Sequence, residues 1–81
     1  MNEVVKEEEI NKWLTKIEAI VGKIHVEDPR ATSWVTNIEA YIADSKHFRD
    51  NGDFVRGFEA VVWAWAIFEI LSDLKMIILK E

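Results

Sequence analysis

The chain has 81 residues, no cysteine, 10 lysines and arginines against 15 aspartates and glutamates, and a net charge of −5. That length predicts one domain, and one so small buries only about 60–65% of its unfolded surface. Disulfides and thiolate metal sites are excluded, which leaves oligomerisation as the available staple; the acidic balance opposes nucleic-acid binding, which needs clustered Lys and Arg.

The start, "MNEVVKEEEI", has neither the apolar run nor the basic flank of a signal peptide. No stretch reaches the ~18–20 apolar residues of a membrane span. The lack of Cys fits a reducing cytoplasm. Missing Cys and Gln, with many Glu, Lys and Ile, lean thermophilic. The expectation is a cytoplasmic protein with no nucleic-acid and no membrane partner.

Helix one is predicted from about Glu3 to Lys23. Ile10, Trp13, Leu14, Ile17, Ile20, Val21 and Ile24 recur at helical spacing and form one apolar face. "HVEDPRATS" breaks that pattern. Asp28 before Pro29 reads as a cap with proline at the first helical position, where its missing N–H costs nothing.

Helix two follows from about Arg30 to Asn51. Its inward face is Ala31, Trp34, Val35, Ile38, Tyr41, Ile42, Ser45 and Phe48. "DNGD" ends it, with Gly52 as a left-handed cap and Asp53 opening the next helix.

Helix three is predicted from about Phe54 to Leu79, since neither Gly nor Pro interrupts it after Gly57. The alternation in "VWAWAI" suggests a strand, but the segment is too long and too Ala-rich for that. The fold expected is all-α, an antiparallel three-helix bundle without a sheet, as one domain over residues 1–81. At about 26 residues, or roughly 39 Å, the third helix should overhang its neighbours of about 32 Å with residues 75–81.

"AVVWAWAIF", residues 60–68, carries no charge and no hydroxyl. On a helix it gives two apolar stripes, one of Phe54, Phe58, Val61, Trp65 and Phe68, the other of Ala60, Trp63, Ile67, Ile70, Leu74 and Ile77. Their centres lie about 160–180° apart. Two neighbouring helices cover one stripe, so a homodimer interface is expected of Trp63, Ile67, Ile70, Leu74, Ile77 and Ile78. Burying four such side chains grosses about 6–12 kcal/mol, comparable to a small domain's net stability.

The segment "FRDNGDFVRGFEAVVWAWAIFE" resembles an archaeal family known as domain of unknown function 357. Phe48, Gly52, Asp53, Phe54, Val55, Arg56, Phe58, Ala60, Trp63, Ala64 and Glu69 carry the likeness, and the upstream helix with Trp13 and Leu14 also fits. The chain departs from that pattern where Ala66–Ile67 replaces a Gly–Trp step and Trp65 replaces a His or Tyr. The resemblance implies a small archaeal helical domain and supplies no activity. Gly52-Asp53-Phe54 with Tyr41, Phe48 and Ala64 also resembles one tetratricopeptide hairpin, but no period of about 34 residues recurs.

Candidate chemistry is sparse. Asp44, His47 and Asp50 stand three apart, but steps of three drift round a helix and one His makes no metal signature; a solvated face is the reading, with no metal and no cofactor. Arg56 and Glu59, one turn apart, are expected to pair. Glu69 is the one carboxylate singled out. A core-edge acid with its head in water is the blander reading, a functional carboxylate the sharper one, and a buried Glu69 would need a donor such as Tyr41, Lys12 or Lys16. There is no phosphate loop and no nucleophile–base pair, so the chain is not expected to be an enzyme. The reading is a non-catalytic interaction module that self-associates. The alternatives are a binder of a partner's amphipathic helix or a small apolar ligand, and a non-catalytic subunit of an enzyme.

Overall fold

The computed structural model describes residues 5–81, so the expected start of the first helix at Glu3 lies outside the described residues. Three helices dominate: α1 (Glu7–Val21), α2 (Thr32–Asp50) and α3 (Phe54–Asp73). Two short strands, β1 (Ile24–Val26) and β2 (Ile77–Leu79), form an antiparallel pair. The molecule is elongated, 43 × 22 × 19 Å.

The helix boundaries follow from local chemistry. Glu7, Glu8 and Glu9 place negative charge on the first turn of α1, where the helix dipole favours it. Asp28 caps as expected, but what it caps is a 3-10 turn, Pro29–Ala31, that leads into α2. Its carboxylate accepts the Arg30 backbone N–H at 2.9 Å and grips the Arg30 guanidinium. That guanidinium and the backbone N–H hold the Asp28 carboxyl below its ordinary range. Gly52, at φ 77°, closes α2. The Asp53 N–H donates to the Phe48 carbonyl and the Gly52 N–H to that of Arg49, the paired bonds of a Schellman cap. Asp53 then accepts from the Arg56 N–H and opens α3.

The end of α3 differs from expectation. It ends at Asp73, after 20 residues against 19 in α2, so residues 75–81 form no helical overhang. Lys75, at φ 59°, occupies the position that Gly52 holds after α2. The Met76 N–H donates to the Leu71 carbonyl and the Lys75 N–H to that of Ser72, giving the same cap without a glycine. The chain turns and lies against β1, pairing Ile24 with Leu79, His25 with Ile78 and Val26 with Ile77. Bonds from the Glu27 N–H to the Met76 carbonyl and from the Lys80 N–H to the Lys23 carbonyl extend the ladder at both ends. The expectation of a fold without a sheet is therefore corrected. Ile24, Val26, Ile77 and Ile78 are β-branched, and a spacing of three residues cannot tell helix from strand in so short a run.

The core joins Ile10, Leu14 and Ile17 of α1, Ile38 and Ile42 of α2, and Val61, Ala64, Ile67, Phe68 and Leu71 of α3. Ile77 of β2 closes one end and is 3% exposed.

Candidate functional surfaces

On α3 the buried positions are Gly57, Ala60, Val61, Ala64, Ile67, Phe68 and Leu71. They form a single stripe whose middle runs through the small residues Gly57 and Ala64. Each of the two stripes expected from the sequence shares residues with it, Val61 and Phe68 in one and Ala60 and Ile67 in the other, and runs out over one of its edges. Phe58 and Trp65 lie on the edge toward α1; Trp63, Ile70 and Leu74 lie on the opposite edge, roughly 120–180° away at 100° per residue.

Small residues let α2 approach closely. A Cβ built on Gly57 would sit 3.2 Å from the Ser45 carbonyl oxygen and 3.2 Å from Ile10 Cδ1. The buried Ser45 hydroxyl donates to the Gly57 carbonyl at 2.7 Å. Close approach of α2 sets the large side chains of α3 to either side, and this explains why the edges remain at the surface.

The first candidate surface runs along α2 and α3. Trp34, Trp63, Ile70 and Leu74 are 50%, 58%, 57% and 63% exposed. Tyr41 stacks on Trp63 with ring centroids 6.3 Å apart, while Trp34 and Leu74 line one shallow groove with Lys75 and Met76. Both ends of the strip therefore draw on both helices. Asp44 and Glu59 border its Trp63 end, and Lys75 borders its Leu74 end. Two of the six residues expected at an interface are not available to one. Ile67 and Ile77 are 9% and 3% exposed and belong to the chain's own core. Ile67 lies inside the buried stripe, and Ile77 pairs inward against Val26 rather than riding on a helical overhang. Ile78 is exposed, on β2 opposite His25, away from any α3 stripe.

The second surface is a groove of about 370 Å³ between α1 and α3, lined by Glu9, Trp13, Phe58, Val62, Trp65 and Glu69. Trp13 and Trp65 meet edge to face, centroids 6.0 Å apart. The Trp65 indole N–H donates to the Trp13 carbonyl at 3.2 Å and the Trp13 indole N–H to Glu9 at 3.4 Å. These bonds fix both rings. Lys12 and Lys16 hold their ammonium groups 5.4 and 4.9 Å from the Trp13 ring centroid. Glu69 is exposed at the groove rim, so it needs no buried donor. Tyr41, a donor suggested for it, instead stacks on Trp63.

Asp44, His47 and Asp50 do not converge, and among the described residues no three His, Asp or Glu side chains are placed to share a metal ion. Arg56 pairs with Asp53 at 3.6 Å and lies over the Phe48 ring, rather than pairing with Glu59. Apolar periodicity singled out neither the α1–α3 groove nor the Ser45–Gly57 contact; the sequence signal of the contact is Gly57, Ala60 and Ala64 at helical spacing opposite a serine on an apolar face. No helix among the described residues is long and apolar enough to cross a membrane.

The family described as "Protein of unknown function (DUF357)" matches residues 8–77. The crystal structure of protein AF1782 from Archaeoglobus fulgidus, of that same family, is similar at a TM-score of 0.82 and 42% identity, over 91% of this chain and 92% of the other. No curated protein matches.

Proposed function

The chain belongs to the DUF357 family, which has no assigned activity, and from that premise we propose that it is a non-catalytic interaction module that pairs with a second copy of itself. The observation that carries this is the exposed strip of Trp34, Trp63, Ile70 and Leu74. A contiguous apolar strip is a costly thing for a monomer to expose. Its ends suit a two-fold partner. Asp44 and Glu59 border one end and Lys75 the other, and no ion pair among the described residues engages them. A two-fold arrangement that runs the two strips in opposite directions brings each acidic end to the other copy's Lys75. The small Ala66 lies between Trp63 and Ile70 and leaves room for close approach at the axis.

Within each copy the helices are read as an antiparallel bundle. Residues pair across it in reverse chain order: Glu18 with Lys46 and Asn11 with Arg49, then Ser45 with Gly57 and Tyr41 with Trp63.

These four large side chains are already about half buried, so covering the remainder yields roughly half of 1.5–3 kcal/mol each. Two copies together gross about 6–12 kcal/mol, similar to the association cost of about 4–15 kcal/mol. The pair is therefore weak and forms at high protein concentration. Light scattering of the full chain across a concentration series should show twice the chain mass at the upper end. Trp63→Glu with Ile70→Lys should give a monomer of unchanged helicity. A wild-type monomer at every concentration, or a variant that still pairs, would overturn the reading.

A further inference from the structure

The α1–α3 groove lies on the other edge of α3 and is not needed for pairing. We infer that it is a binding site for an aliphatic diamine, whose methylenes lie against the indole walls and whose two ammonium groups meet Glu9 and Glu69. This does not rest on the self-association proposed above.

Four observations converge. The groove, at about 370 Å³, has the size of a small-molecule site. Its walls are the aromatic and aliphatic side chains of Trp13, Phe58, Val62 and Trp65, and its polar groups are two carboxylates contributed by different helices. Neither carboxylate is engaged in an ion pair among the described residues; Glu9 accepts only the long bond from the Trp13 indole. Finally, the Trp13 ring already draws two ammonium groups of this chain, Lys12 and Lys16, into cation–π range. Neither lysine lines the groove, so no cation of the chain itself occupies the interior.

Charge and shape together select the ligand. An anion meets two carboxylates and no donor, since both indole N–H groups are already used within the chain. A neutral alkyl group fits the walls but gains nothing from the two carboxylates, which stay exposed to water at the rim. A compact metal ion gains nothing from the aromatic walls. An alkyl stem with an ammonium at each end satisfies both kinds of surface, through charge-assisted hydrogen bonds at its ends and contact with the indoles between them.

The four tryptophans supply an internal control. Trp13 and Trp65 line the groove, and Trp34 and Trp63 lie on the other surface. In a titration of the full chain with 1,5-diaminopentane, followed by the indole N–H resonances, Trp13 and Trp65 should shift saturably while Trp34 and Trp63 stay in place. Glu9→Gln with Glu69→Gln should weaken binding by about tenfold or more, the loss expected for charge-assisted contacts. Both side chains are exposed, so the variant keeps the fold, and helicity checks this. Pentan-1-ol, with the same stem and no charge, is the second measurement and should not saturate. The inference fails if no shift saturates by about 10 mM amine, if pentan-1-ol binds as well, if the double variant retains affinity, or if all four indoles move together.

Discussion

Ser45 is the buried polar side chain among the described residues, 0% exposed, and its hydroxyl finds its acceptor on the neighbouring helix rather than on its own. Its partner carbonyl belongs to Gly57, where a Cβ would press on the Ser45 backbone oxygen of α2 at 3.2 Å and touch the Arg49 nitrogen at 3.4 Å. Backbone cannot swing aside as a side chain can, so the contact tolerates little bulk. Ser45→Ala should cost about 0.5–1.5 kcal/mol, the net worth of one hydrogen bond. Gly57→Val should cost more, about 1–3 kcal/mol from overpacking, despite removing a glycine from a helix. Chemical denaturation of both variants checks the order; a stabilised Gly57→Val would show that α2 yields easily and that the two helices are not held at this point. Apolar periodicity placed Ser45 on the inward face of helix two, so that residue was legible. What the sequence left open was the partner, because which backbone carbonyl a serine reaches depends on how two helices pack, not on either helix alone.

The elements show where periodicity suffices and where it does not. Helices α1 and α2 were legible because each has a single apolar face, with a Pro-led cap at Asp28 marking the approach to α2 and a glycine cap at Gly52 marking its end. The end of α3 was not, because its cap is built on Lys75 in a left-handed conformation that glycine ordinarily supplies. That conformation costs a non-glycine residue about 1–2 kcal/mol, and the two backbone bonds of the cap and the strand beyond it offset the cost. Lys75→Gly should therefore stabilise the chain by about 0.5–1 kcal/mol once glycine's own entropic penalty is deducted, and Lys75→Val should destabilise it, since a β-branched residue tolerates positive φ poorly. On β2, Ile77→Ala should cost about 2–5 kcal/mol, the range for a core aliphatic, and Ile78→Ala far less because Ile78 is 40% exposed. Thermal melts of the four variants test this together. Equal losses at Ile77 and Ile78 would mean that the strand does not dock with one face inward. The same reasoning explains the partial reading of the surfaces. Trp63, Ile70 and Leu74 are legible as an outward edge, but periodicity groups Ile67 with them because 40° separates it from Trp63 on a helix wheel, and only the position of α2 decides on which side of the boundary it falls.

At the scale of the whole molecule, α3 carries a core stripe between two exposed edges, and the three should respond to substitution in different ways. Ile67 is internal to one chain, so Ile67→Ala should lower stability by about 2–5 kcal/mol at every protein concentration. Trp63 and Ile70 are more than half exposed in the single chain, so removing both forfeits only the part already covered, about 1.5–3 kcal/mol together, and lowers the melting temperature by an amount that does not depend on protein concentration. The rest of their contribution enters through mass action. A pair that forms only between folded chains makes stability depend on concentration. Where pairing is substantial, each tenfold increase adds up to about 1.4 kcal/mol per pair, or roughly 0.7 kcal/mol per chain. For a domain of this size that moves the melting temperature by about 3–6 °C. The wild-type chain should therefore melt higher as its concentration rises, Ile67→Ala should melt lower but keep the same upward trend while enough of it is folded, and Trp63→Ala with Ile70→Ala should melt below the dilute wild-type value with no trend at all. Calorimetry over a hundredfold range of concentration separates these outcomes. A flat wild-type melting temperature would remove the second copy as the partner of the Trp34–Leu74 strip. A double variant that keeps the wild-type trend would place the pairing surface elsewhere on the molecule.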